Sequence, residues 1–300
     1  MKQLKHAWIG LLVFTACNSN APTAEDSMHQ EFAMASKDSA ALGISEKVVE
    51  DFIHAIPSPL ELSSMILNTG APYNSHFLSD AGNATEYSDA SKKALNMGRL
   101  GVDLGYLYMY DKTLTSIDYV IKIRQLASQL KVSQFFDFDA IKSLSKSNKN
   151  VDTLINMTAR SFLKMNDYLR EQKRGHISVL LVTGTWIEGE YLSTQIALLK
   201  ENKALEERIG EQKEILDNLL LMLEVFKKDP IFKLQIDKLQ NLKKLYDGVS
   251  ITYTYAKPKA KNVNGELVIE DNSNSVVNIS HEQVKEIAAA VAKVRNEMIQ

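Results

Sequence analysis

Two acidic residues in apolar surroundings are the strongest candidates for chemistry in this 300-residue sequence. Asp103 lies in the predicted helix 84–110, and Glu188 lies in a second segment, 177–199, that is apolar on nearly every side. A pair of buried carboxyl groups flanked by tyrosines can bind a metal ion or a polar ligand, or act as general acid and base. The sequence therefore places a candidate ligand or metal site at Asp103 and Glu188.

Neighbours on the same helical faces complete this candidate site. At 100° per residue, Arg99 and Tyr106 share one side of their helix with Asp103. Tyr191 shares a side with Glu188 in the same way. The alternative is a buried structural network, in which Arg99 pairs with Asp103 and tyrosine hydroxyls satisfy Glu188. Because ion-pair networks perturb carboxyl groups as readily as active sites do, we favour the structural network.

Other familiar chemistries have no support in the sequence. No two histidines have the spacing of helical zinc ligands, and no nucleophile elbow, phosphate-binding loop or dinucleotide fingerprint occurs. One cysteine allows neither an internal disulfide nor a thiolate zinc site. Lys and Arg number 35 against 37 Asp and Glu, so no excess positive charge could neutralise a nucleic-acid backbone. We expect no cofactor and no nucleic-acid partner, and we favour a protein that is not an enzyme.

The single cysteine follows a targeting signal. Lys2 and Lys5 form a basic start, and the apolar run 7–15 is about half as long as a membrane-spanning helix. The sequence FTAC at 14–17 resembles the lipobox of bacterial lipoproteins, in which the cysteine is acylated and becomes the first residue of the mature protein. It departs from the usual pattern at its first position, where leucine is commonest. We therefore predict a lipoprotein signal peptide over 1–17 and lipidation of Cys17.

Residues 18–43 have the composition of a solvated tether, because they are rich in Ser, Ala, Asn and Asp and show no apolar period. We expect the acyl chains on Cys17, palmitate among them, to attach the protein to the lipid bilayer. The expected location is the outer membrane, facing the periplasm or the cell surface. The alternative is an ordinary secretory signal with an incidental cysteine.

Apolar periodicity and capping signals predict a mostly helical chain, an all-α bundle whose helical domain spans 44–248. Ser58 and Glu61 form a capping box, and Asn83 and Asp229 are predicted N-caps. Two apolar stripes around Asp229 predict an antiparallel helical hairpin. The predicted helices cover 59–68, 84–110, 115–130, 139–145, 152–172, 176–201, 204–227 and 230–246.

Glycines inside two apolar helices indicate a close crossing. Gly101 and Gly105 lie on one face with Gly98, and Gly184 belongs with Gly189 to the segment that carries Glu188. Each glycine costs about 1 kcal/mol relative to alanine, so close approach of the helices must offset the loss. We expect Gly101 and Gly105 to permit the crossing, which makes alanine at Gly105 neutral or worse.

The end of the sequence predicts a small β segment and a last helix. Residues 249–279 alternate with a period of two, and Asn264-Gly265 is a strong signal for a β-hairpin turn. Ser280 and Gln283 form a capping box that begins the helical segment 280–300. Its apolar face predicts that this helix docks on the helical domain.

Four segments together carry a resemblance: IPSPLE at 56–61, GAPYN at 70–74, KALNMG at 93–98 and GVDLGY at 101–106. They resemble an uncharacterised family of helical lipoproteins of Bacteroidota. The resemblance implies a helical envelope lipoprotein and carries over no catalytic residue.

Two hypotheses for function follow from these observations. The first is a membrane-anchored envelope lipoprotein that binds a small ligand or an envelope protein without catalysing a reaction. The second is an enzyme or metal-binding protein that uses the buried carboxyl groups of Asp103 and Glu188. We favour the first, because the sequence contains no recognisable catalytic motif.

Overall fold

A computed structural model describes residues 66–81, 89–144, 151–254, 259–263, 266–270 and 274–299. The predicted signal peptide (1–17) with its lipidated Cys17, the tether (18–43) and the capping box at Ser58 lie outside these residues. So does Asn83.

Helices dominate the described residues, and this confirms the predicted all-α class. Short 3₁₀ turns occur at Ser75–Phe77 and Ser133–Phe135. The α-helices are α1 (Ala90–Met109), α2 (Thr113–Gln129), α3 (Phe138–Leu144), α4 (Val151–Glu171), α5 (Gly175–Leu199), α6 (Lys203–Glu224), α7 (Pro230–Tyr246) and α8 (His281–Ile299).

The start of α1 corrects one prediction. The helix begins at Ala90, six residues after the predicted start, and its N-cap is Asp89. The Asp89 carboxylate accepts a hydrogen bond from the backbone N–H of Lys92 at 2.8 Å. A carboxylate in this position satisfies one of the free N–H groups of the first turn and complements the helix dipole. The remaining predicted helix boundaries from α2 to α7 agree with the structure to within three residues.

The helical hairpin of α6 and α7 forms as predicted. Asp229 caps α7 by accepting a hydrogen bond from the backbone N–H of Ile231 at 2.8 Å, and Pro230 is the first helical residue. The two helices bury leucine-rich stripes against each other, and α6 also packs on α5 while α7 packs on α8. The hairpin therefore belongs to the main core.

α5 is the central helix, and α1, α4, α6 and α8 all pack against it. Most of its circumference is buried, as the all-round apolar sequence predicts. No helix within the described residues combines the length and the apolar character needed to cross a bilayer.

The predicted crossing of the two glycine-bearing helices is confirmed, but the glycines in contact are Gly98 and Gly184. A Cβ on Gly98 would lie 2.1 Å from the carbonyl oxygen of Leu181, and a Cβ on Gly184 would lie 2.0 Å from that of Leu95. The two backbones therefore touch where neither residue has a side chain.

Gly101 and Gly105 do not make this contact. They line an apolar pocket between α1 and the helices α2 to α4. The three glycines of α1 lie within about 60° of one another around the helix, and a neighbouring helix covers only part of such an arc. The expectation that Gly101 and Gly105 form the crossing was therefore wrong.

α8 closes the bundle and docks on α5, as predicted. Its capping box is complete: the backbone N–H of Ser280 donates to Gln283 Oε1 at 2.8 Å, and that of Gln283 donates to Ser280 Oγ at 3.2 Å. The predicted apolar face of Val284, Ile287, Val291, Val294 and Met298 is buried.

Two antiparallel ladders form the β segment between α7 and α8. β1 (Ser250–Thr254) pairs with β4 (Asn274–Asn278), and β2 (Lys259–Val263) pairs with β3 (Glu266–Glu270). The strand pairing of the second ladder is offset by one residue from that of the first. The reason is that four residues separate β1 from β2, whereas three separate β3 from β4. The ladder of β1 and β4 rests on α6, where buried Val277 packs beside Gly210.

Candidate functional site

The two acidic residues meet where α1 crosses α5. Asp103 and Glu188 are both 0% exposed, and their carboxyl groups are close enough to share a hydrogen bond. The two helices touch at Gly98 and Gly184, which lie one to two helical turns from Asp103 and Glu188. The sequence therefore predicted correctly that these two acids face each other out of contact with water.

The surroundings of Asp103 favour its protonated form. Burial, and then the adjacent charge of Glu188, raises the pKa of Asp103 well above its usual range. The Oδ2 atom of Asp103 accepts a hydrogen bond from the backbone N–H of Ser79 at 3.3 Å. Its Oδ1 atom is buried and has no hydrogen-bond partner. The pair therefore favours a proton on Asp103 beside the negative charge of Glu188.

Arg295 of α8 binds that negative charge. Its guanidinium donates to both oxygens of Glu188, from Nη2 to Oε1 at 2.8 Å and from Nε to Oε2 at 2.9 Å. Burial disfavours the charged guanidinium, but the hydrogen bonds and charge of Glu188 outweigh this and raise the pKa of Arg295. A bidentate pair of this kind is strong and fixes the angle between the two groups.

The remaining contacts of Arg295 tie a third segment into the cluster. Nη2 also donates to the carbonyl oxygen of Phe77 at 3.1 Å and to the hydroxyl of Ser79. The ring of Tyr191 lies 4.3 Å from the guanidinium carbon, a cation–π contact. One arginine thus joins α8, α5 and the segment before α1.

Arg99 forms the predicted i,i+4 ion pair with Asp103, but at a long distance. Its Nη1 atom is 3.9 Å from Asp103 Oδ2, while Nε and Nη2 donate to Asn96 Oδ1 at 3.1 and 2.9 Å. The guanidinium is 2% exposed. Arg99 therefore lowers the electrostatic cost of burying the acids without binding either of them tightly.

The tyrosines of the predicted site point in different directions. Tyr106 stacks on Tyr73, with ring centres 5.6 Å apart, and its hydroxyl accepts a hydrogen bond from the backbone N–H of Asn74 at 2.9 Å. The predicted bonds from tyrosine hydroxyls to Glu188 are replaced by those of Arg295. Tyr106 instead fixes the GAPYN segment on α1, while Tyr191 belongs to the charge cluster through its ring.

Glu190 is a third buried acid that the sequence analysis did not include in the site. It lies on another side of α5 and accepts a hydrogen bond from the Tyr246 hydroxyl of α7 at 2.6 Å. Burial raises the pKa of Glu190 to about 8, because the hydrogen bond from Tyr246 lowers it only in part. Glu190 is therefore mostly protonated at pH 7.

The geometry favours a structural network over a reactive site. Both oxygens of Glu188 are bound by a guanidinium, and neither acid contacts solvent. In the part of the chain that the structure describes, no three His, Cys, Asp or Glu side chains converge on a point where a metal could bind. The residues at the crossing can hold one proton and fix three segments together, but they offer no open ligand position.

Sequence reasoning missed Arg295, although a signal for it exists. Val291 and Met298 belong to the apolar face of α8, and Arg295 lies four residues after the first and three before the second. A charged residue in such a stripe must meet an opposite charge when the stripe is buried.

Comparisons with known proteins do not extend this interpretation. No protein-family model, curated protein or solved structure matches the chain. Any function must therefore be argued from the residues and geometry described above.

Proposed function

We propose that the protein is a lipid-anchored envelope protein that binds a small ligand or a partner protein without catalysing a reaction. The observation that carries the anchor is the position of Cys17, the only cysteine, directly after the short apolar run 7–15. Acylation of this residue would hold the helical bundle at the outer membrane, at the end of the tether 18–43.

The binding role rests on the enclosed charge network. An enzyme needs reactive groups that a substrate can reach, whereas Asp103 and Glu188 are 0% exposed and Glu188 is fully engaged by Arg295. A network of this kind makes a rigid scaffold, because each charged group fixes the position of its partners. Rigid scaffolds present binding surfaces at a low cost in entropy.

Fractionation of cells that produce the full chain tests the anchor. We expect the wild-type protein in the membrane fraction and the Cys17→Ser variant in the soluble fraction. Ser27→Ala, a change of similar size within the tether, should leave the protein in the membrane. A Cys17→Ser variant that stays membrane-bound in high salt would refute the lipid anchor.

A further inference from the structure

An apolar pocket of about 80 Å³ lies between α1 and the helices α2 to α4. It is separate from the charge cluster, which lies at the α1–α5 crossing. The residues that line the pocket are uncharged. They include Gly101, Gly105, Ile123, Phe136, Phe138 and Phe162.

The two glycines keep this pocket open. Gly98 has no side chain because the backbone of α5 leaves no space for one. Gly101 and Gly105 border free volume instead, and a methyl group at either position would fill part of it. Alanine would also stabilise the helix, so stability alone does not account for glycine at these two positions.

The size and lining of the pocket define what it can hold. Apolar cavities of about 150 Å³ stay dry and accept a six-carbon ring, so 80 Å³ accommodates about three carbon atoms. The aromatic and aliphatic walls favour a saturated chain over a polar group. The pocket is therefore matched to the end of an alkyl chain.

Arg124 supplies a charge beside the pocket. Its guanidinium carbon is 5.7 Å from the ring centre of Phe138, a wall residue, and Arg124 itself is exposed on α2. We propose that the pocket binds an alkyl carboxylate, with about three terminal carbons between Gly101, Gly105 and the phenylalanines and its carboxylate at Arg124. This inference rests on the proposed ligand-binding role but not on the lipid anchor.

Titration of the full chain carrying Cys17→Ser tests the pocket in buffer without detergent, which would compete for alkyl probes. The probes are hexanoate and hexanol, followed by calorimetry or by NMR shifts of the lining methyl groups. We expect hexanoate to bind several-fold more tightly than hexanol. Arg124→Gln should remove that difference. Equal binding of the two probes to the unchanged pocket would overturn the assignment of Arg124.

Variants of the glycines test the location of the site. Gly105→Leu should weaken hexanoate binding at least tenfold, whereas Lys92→Leu, which adds the same side chain to an exposed position of α1, should not. If Gly105→Leu fails to fold, the double variant Gly101→Ala and Gly105→Ala replaces it, and it too should lose hexanoate binding. The proposal would be overturned if a folded glycine variant bound hexanoate as tightly as the unchanged pocket does, or if the unchanged pocket bound no hexanoate. Either result leaves the membrane fractionation of Cys17→Ser unaffected.

Discussion

Replacing Gly98 by alanine should destabilise the protein more than any other single methyl addition to α1. The new Cβ would lie 2.1 Å from the carbonyl oxygen of Leu181 and 2.8 Å from the backbone N of Thr185, whereas ordinary contacts begin near 3.4 Å. Both obstacles are backbone atoms, so no side-chain rotation relieves the overlap. The two central helices must move apart by roughly 1 Å.

The expected free-energy change follows from two opposing effects. Alanine gains up to about 1 kcal/mol over glycine in helix propensity. Overpacking a core costs about 1–3 kcal/mol, and here it also loosens the buried acids beside the crossing. Because the overlap is with backbone atoms, we expect a cost near the upper end of that range, so Gly98→Ala should lower the free energy of unfolding by about 2 kcal/mol. Gly105→Ala, which borders the apolar pocket, should raise it by up to about 1 kcal/mol.

Urea unfolding followed by circular dichroism at the helical band measures both variants, with Gly105→Ala as the matched control. Gly184→Ala should behave like Gly98→Ala, since its Cβ would lie 2.0 Å from the carbonyl oxygen of Leu95. The double variant should cost less than the sum of the two, because the first methyl group already separates the helices. The close crossing would be refuted if Gly98→Ala were as stable as the wild type, or if Gly105→Ala lowered the free energy of unfolding as much as Gly98→Ala does.

Two further predictions concern other parts of the molecule. Between pH 4.5 and about 8 the folded state keeps a proton on Glu190 that the unfolded state has lost, so this group lowers stability by about 1.4 kcal/mol per pH unit as the pH rises. The free energy of unfolding of Glu190→Gln should thus match that of the wild type near pH 4.5 and exceed it by up to about 3 kcal/mol at pH 7. Parallel stability profiles of the two proteins would contradict this. Replacing 257–270, which includes β2 and β3, by a short Gly-Ser linker should preserve cooperative unfolding, since those strands pair with each other; loss of the folded state would show that they support the core.

Local signals predicted the secondary structure well because they act over a few residues. Pro230 after Asp229 sets the start of α7, and the reciprocal bonds of Ser280 and Gln283 set that of α8. The start of α1 was misplaced because Asn83 and Asp89 are both good N-caps. The sequence alone gives no means of choosing between them.

Contacts between distant segments were only partly predictable. The meeting of Asp103 and Glu188 followed from two helices that are apolar on nearly every side and must therefore be central. Arg295 is 107 residues from Glu188 in sequence, so its pairing depends on how α8 docks. The crossing glycines were misassigned for a similar reason, since helical periodicity defines a face but not which part of that face the neighbour covers.

The central structural claim is that Asp103 and Glu188 share one proton and that Glu188 holds the charge bound by Arg295. Asp103→Asn replaces a neutral carboxyl group by a neutral amide that can still donate to Glu188, so we expect a loss of stability of at most about 1 kcal/mol. Glu188→Gln removes the charged group that binds the buried guanidinium of Arg295 through two hydrogen bonds, which should cost about 3–5 kcal/mol.

The free energies of unfolding of these two variants at pH 7, measured side by side, test this claim most directly. A much larger loss for Glu188→Gln than for Asp103→Asn is the predicted result. Equal losses, or a greater loss for Asp103→Asn, would contradict the assignment of the proton and of the charge.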